Sequence, residues 1–225
     1  MLENLPKDLK THAYVLKRTN YGEADRILNL ITPVGKISVI AKGVRKPKSK
    51  LAGGIEMFSL AFVNLHFGKS QMAVLTSARM EKFYSRILKD LERMELASEI
   101  LKKISVASDS VDSADFFEIV DFCLSALDDE CDVNLVEAWF LLNLKRAMGE
   151  QVNLYFDSDG NKLIVSGKYF WDANNKVLVV DEDGPVNADV IKIMRIFLTS
   201  ELGVARRIKD VGNYLPLVLE IAKTI

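Results

Sequence analysis

Five short runs of β-type residues lie within residues 12–80: HAYVLKR from His12, DRILNLIT from Asp25, KISVIAK from Lys36, MFSLAFVNLHF from Met57 and MAVLTSARM from Met72. Turn chemistry separates them. Pro33 and Gly35 divide the second from the third, Gly53-Gly54 precede the fourth, and Gly68 with Ser70 divides the fourth from the fifth. Five strands in so short a stretch fit a small closed barrel, which hides one face of every strand without leaving an open edge.

After Phe83 the apolar period becomes helical. Ile87, Leu88, Leu91, Met94, Leu96, Ile100, Leu101 and Ile104 form one stripe, as one helix or two. Ser113 is placed to cap ADFFEIVDFCLSALDD, and Asp132 to cap VNLVEAWFLLNLKRAMG, which stops at Gly149. These three segments are expected to form a bundle. LIVSGKYFW and KVLVVDED around Asn174-Asn175 read as a hairpin, and residues 186–225 return to helix. The expectation is an α+β chain: an N-terminal five-stranded barrel over residues 1–83, then a helical domain over residues 84–225 with a β insertion at about 150–183. Among small barrels the OB-fold is the type that most often offers a strand face and loops to oligonucleotides; an SH3-like barrel is the alternative topology.

Charge divides the chain in the same way. Overall it is nearly neutral, at −1, yet residues 1–83 hold 14 Lys and Arg against 6 Asp and Glu, leaving 16 against 25 for the remainder. Six cations, Lys36, Lys42, Arg45, Lys46, Lys48 and Lys50, fall in one stretch that contains no acid. Clustered cations release counterions condensed on phosphates, so a polyanion is the expected ligand, set against the plainer reading of a solvated loop. Gly43, Gly53 and Gly54 allow close backbone approach and Pro47 stiffens the loop. Tyr21, Phe58, Phe62 and His66 supply rings on which unpaired bases could stack, although Phe58 and Phe62 are expected in the barrel core.

Other chemistries find little support. No apolar run approaches the roughly 20 residues of a membrane span and the start MLENLPKDLK lacks a signal-peptide core, so a cytoplasmic location is expected. Cys123 and Cys131 fit neither a disulfide framework nor a zinc spacing, and Cys123 reads as packing. Neither a Walker A pattern nor G-x-G-x-x-G occurs. The carboxylates Asp157, Asp159, Asp172, Asp181, Glu182 and Asp183 cluster around the insertion, where a hydrolase site is conceivable. They read better as turn and surface residues, since the glycine of DSDGN comes too early for an EF-hand and both histidines, His12 and His66, lie in the first domain.

Several runs resemble the opening of the RecO recombination-mediator family: Val15-Leu16-Lys17-Arg18, Tyr21-Gly22-Glu23, Asp25-Arg26-Ile27-Leu28, Gly35-Lys36, Lys42 through Leu51, and Phe58. Phe140, Leu142, Leu144 and Gly149 resemble that family's F-x-L-x-L helix. The resemblance implies an N-terminal OB-fold, a helical C-terminal domain and no enzymatic turnover. It also implies binding of single- and double-stranded DNA, strand annealing, and loading of a RecA-type recombinase with a RecR-type partner on strands coated by single-strand-binding protein. One departure concerns metal. Many members carry a four-cysteine zinc element after that helix, whereas Phe156, Asp159 and residues near Val179 and Glu182 stand here. The hairpin is therefore expected to hold by packing of Tyr155, Tyr169, Phe170, Trp171, Val177 and Val179, with no cofactor.

The candidate nucleic-acid contacts are Tyr21, Arg26, Lys36, Lys42, Arg45, Lys46, Lys48 and Lys50, with an RNA-binding module as the alternative to a DNA-binding one. The resemblance also implies docking of the acidic, aromatic tail of single-strand-binding protein, which needs an apolar pocket rimmed by cations. Arg206 and Arg207 are the candidates for it; Lys145-Arg146 reads equally well as compensation of a helix C-terminus.

Overall fold

In the computed structural model the described residues are 6–68, 70, 72–150, 152–199, 204 and 211–225. The first strands are β1 (Asp8–Tyr21), β2 (Asp25–Thr32), β3 (Gly35–Ala41), β4 (Ser59–His66) and β5 (Ala73–Phe83). At 14 residues β1 is long enough to pair antiparallel with β2 along its second half and with β4 along its first. A register slip at Leu16, between Val15 and Lys17, lets it bend from one partner to the other. β3 and β5 then pair in parallel and close the barrel in the order β1-β2-β3-β5-β4, the OB-fold and not the SH3-like alternative.

Alternation fills the interior. Ala13, Val15, Leu28, Leu30, Ile37, Val39, Ala61, Val63, Leu65, Ala73 and Leu75 point inward and are buried. The outward residues Tyr14, Leu16 and Ile31 are buried as well, because α1 (Leu91–Ser110) and α2 (Asp115–Asp128) lie against the barrel. A buried phenol needs a partner for its hydroxyl. Tyr14 donates to Asp121 on α2 and lies 2.8 Å from the Tyr84 hydroxyl, which is itself 3.3 Å from the same carboxylate. Burial first, then the bond to Asp121, pushes the Tyr14 phenol well above the ordinary tyrosine range.

Two compact units result, residues Met1–Asp129 and Glu130–Ile225. The change of period placed the boundary after Phe83, but α1 and α2 pack with the barrel. The three helices expected in one bundle are thus divided between the units. In the second unit α3 (Val133–Ala147) packs against α4 (Ala188–Thr199) and α5 (Val211–Thr224). Asp132 caps α3 by accepting from the Leu135 amide at 2.9 Å, and the buried Asn143 donates to the Trp139 and Phe197 carbonyls, tying α3 to α4. The N-cap of α2 is Ala114 and not Ser113, whose Oγ nevertheless accepts from the Asp115 amide at 3.3 Å.

The insertion forms the hairpin of β6 (Tyr169–Asp172) and β7 (Val177–Val180). Its inner face is Tyr169, Trp171 and Leu178 with Val186, and Trp171 Nε1 donates to Thr224 on α5 at 2.8 Å. Tyr155 and Phe170, expected to pack, are instead 57% and 53% exposed, because the strand alternation that turns Tyr169 and Trp171 inward turns Phe170 out. The carboxylates of this region serve turns. Asp157 accepts from the amides of Asp159 and Asn161, Asp172 from those of Asn174 and Asn175, and Asp181 from that of Asp183. Among the described residues no group of three or more His, Cys, Asp or Glu is placed to hold a metal ion, and no helix is long and apolar enough to cross a membrane.

Candidate nucleic-acid interface

The basic segment leaves β3 at Lys42 and crosses to β4 as a pinned loop. Gly43, at φ +63°, turns its amide to Asp25 Oδ1 at 2.7 Å; the Arg45 amide donates to the Ala24 carbonyl at 2.8 Å, and Arg45 Nη1 reaches the Gly22 carbonyl at 3.3 Å. The loop is thereby fixed to the turn between β1 and β2. Val44 and Ile55 plug into the barrel core from the same loop. Gly54 lies against β5 so closely that a Cβ would stand 2.5 Å from the Ala78 backbone. An apolar residue every few positions holds the chain down while the charged ones between stay in water.

Lys42, Arg45, Lys46, Lys48 and Lys50 are exposed. Among the described residues no side-chain hydrogen bond or ion pair engages Lys42, Lys46, Lys48 or Lys50, so their ammonium groups are available to an anion. Tyr21 stands at the end of β1 opposite Asp25, 53% exposed, on the turn that Arg45 grips. Arg26 is half-buried and donates from Nε to Asn20 Oδ1 at 3.2 Å across the same hairpin. Seven of the eight candidate residues thus fall at one end of the barrel, Tyr21 and Arg26 on the strands flanking the β1-β2 turn and the other five on the loop hydrogen-bonded to that turn.

Lys36 is the exception. Six residues before Lys42 on a strand rising about 3.3 Å per residue, it stands roughly 20 Å away at the other end of β3. Its side chain is only 11% exposed, and Nζ donates to the Ser105 carbonyl at 2.7 Å and to Asp109 at 2.6 Å. This lysine pairs with Asp109 near the C-terminal, negative end of α1 and is removed from the ligand-facing set.

The rings divide differently from expectation. Phe58 is buried, but Phe62 points outward from β4 and meets His12 edge-on at 5.3 Å, since Ala61, Val63 and Leu65 take the inward positions. His66, also outward, bonds Asp8 at 2.6 Å. These belong to the outer face of β1 and β4, where His12 pairs with Phe62 and Asp8 with His66. Arg206 and Arg207 lie outside the described residues.

The second unit holds a cavity of about 210 Å³ that the sequence reading did not identify, lined by Arg146, Val152, Leu154, Tyr155, Arg195 and Leu198. Arg195 donates to the Leu154 carbonyl from Nε at 3.1 Å and from Nη2 at 2.5 Å, and lies 4.4 Å over the Tyr155 ring. Lys145, the neighbour of Arg146, is instead paired with Glu150 at 2.9 Å. The only local signal was an arginine inside the apolar run IKIMRIFL; Tyr155 is 40 positions away.

Residues 7–84 match the family described as Recombination protein O N terminal. Over 213 residues, 91% of this chain and 83% of the relative, the sequence is 29% identical to a DNA repair protein RecO of Dehalococcoides mccartyi. A DNA repair protein RecO of a Roseiflexus species is 32% identical over 65% of this chain and 52% of its own length. That of Acetivibrio thermocellus is 40% identical over 41% and 37%.

Proposed function

Starting from the chain's membership of the RecO family of DNA repair proteins, we propose that it is a non-catalytic mediator that binds single- and double-stranded DNA, anneals complementary strands and assists recombinase loading. The observation that carries this reading is the pinned loop. Five exposed cations on a rigid support, beside an exposed tyrosine, gather phosphates from two strands, reduce their mutual repulsion and leave base edges free to pair.

Partner contacts are part of the proposal: a RecR-type protein, a RecA-type recombinase acting through it, and the tail of single-strand-binding protein. The tail is assigned to the cavity between α3 and α4, where Arg146 and Arg195 offer charge to carboxylates and Leu154, Tyr155 and Leu198 offer apolar surface to an aromatic side chain. The test is annealing of complementary oligonucleotides coated with single-strand-binding protein, with and without the partner protein. Acceleration of annealing that disappears in Lys46→Glu/Lys48→Glu is the expected result. Equal acceleration by that variant would remove the loop from the mechanism.

A further inference from the structure

The outer face of the insertion carries exposed apolar side chains. In β6 and β7 the inward positions are Tyr169, Trp171 and Leu178, so Phe170 and Val179, opposite each other in the register, point away from the second unit's core. Asp157 adds a parallel bridge to Leu178 on the other side of β7. Its neighbour Phe156 consequently emerges on the outer face beside Val177. Phe156 is 40% and Phe170 53% exposed, while Val177 and Val179 between them are half-buried. An apolar face on a sheet this small is costly in water and is not required to hold the hairpin, which is anchored through its other face and by Trp171 on Thr224.

The surroundings say what covers it. Between residues 153 and 187 five carboxylates reach solvent, Asp159, Asp172, Asp181, Glu182 and Asp183, with Asp157 buried, against three lysines, of which Lys162 is bridged to Phe156 and Lys176 already faces Glu150 at 3.6 Å. Phosphates and anionic lipid are repelled by such a rim. A second copy is disfavoured too, because a two-fold contact sets each carboxylate rim against itself. We infer that the Phe156–Val177–Val179–Phe170 face docks a protein segment whose apolar side chains are flanked by lysine or arginine. The residues of this face differ from those of the basic loop and from those lining the Arg146–Arg195 cavity, and its occupant has the opposite charge to an acidic tail.

The experiment titrates the 225-residue chain into three labelled peptides: an amphipathic leucine/lysine peptide, the same peptide with serine for leucine, and the same with glutamate for lysine. Binding of the leucine/lysine peptide alone is expected, weakened at least tenfold by Phe170→Ser and by Asp181→Lys/Glu182→Lys, with oligonucleotide binding unchanged in both variants. Both sites are exposed, and circular dichroism checks that the variants fold. Failure of the leucine/lysine peptide to bind, equal binding of the serine peptide, or an affinity that Phe170→Ser leaves unchanged would overturn the inference. So would sedimentation showing a dimer that Phe170→Ser dissociates, since the occupant would then be a second copy.

Discussion

The division of the basic cluster into five solvent-facing cations and one structural lysine makes a quantitative prediction for salt dependence. Each phosphate contact on a single strand contributes about −0.7 to the slope of log affinity against log salt, so Lys42, Arg45, Lys46, Lys48 and Lys50 together give roughly −3.5, whereas six contacts would give about −4.2. Removing two of them by Lys46→Gln/Lys48→Gln should lower the slope to about −2.1 and weaken binding about 25-fold at 0.1 M salt, equally for unrelated sequences. Lys36→Gln should behave otherwise. Its ammonium is committed to Ser105 and Asp109, so the slope should stay near that of the unmodified protein while stability falls by about 1–2 kcal/mol as the charge-assisted bonds to the Ser105 carbonyl and the Asp109 carboxylate are lost. For a chain of this size that is a few degrees in Tm. Fluorescence anisotropy with a labelled oligonucleotide across a salt series, alongside thermal unfolding, measures both quantities. A slope near zero would refute the loop as a phosphate site, and a Lys36→Gln slope reduced as much as that of a loop variant would refute the separation drawn between the two ends of β3.

Three further outcomes are expected. Tyr14 and Tyr84 are both held above the ordinary phenol range, chiefly by burial, so the folded state keeps protons that the unfolded chain releases; stability should be level below about pH 10 and fall as pH rises beyond it. Tyr14→Phe should flatten that alkaline limb in denaturant titrations and cost about 1.5–3 kcal/mol at neutral pH, because Asp121 loses its nearer donor; an unaltered limb would contradict the assignment. Gly54→Ala drives a methyl into the Ala78 backbone and should cost about 1–3 kcal/mol while loosening the basic loop, seen as lower Tm together with weaker oligonucleotide binding. Asp157→Ala leaves the Asp159 and Asn161 amides without their acceptor and should destabilise the second unit by about 1–3 kcal/mol, whereas a chelator should leave its Tm unmoved; a Tm that falls with chelator would show a metal in the insertion.

Much of this protein is decided locally and is therefore readable in the sequence. Period-two runs and their glycine, proline and asparagine punctuation define the strands, because side-chain alternation and turn dihedrals depend on neighbours in the chain. Asp132 as a cap and Gly149, at φ +82°, as a terminator are local for the same reason. The basic loop is legible because charge density is a property of the stretch itself. Tertiary structure decided what depends on the other side of a contact. The run Ala13-Tyr14-Val15-Leu16 is buried on both faces, and only the packed α1 and α2 explain the outward pair and move the division of the chain to Asp129. Lys36 and Lys46 are the same residue type within one cluster; a helix terminus 69 and 73 positions away claims the first and leaves the second to solvent. Phe62 and Phe170 are aromatic residues in strands and look like core, yet register turns both outward. Arg195 meets Tyr155 only because α4 folds back beside the segment following α3. Composition and period fix what a residue can do, but the element opposite it decides whether its charge or its ring is satisfied within the fold or left for a partner.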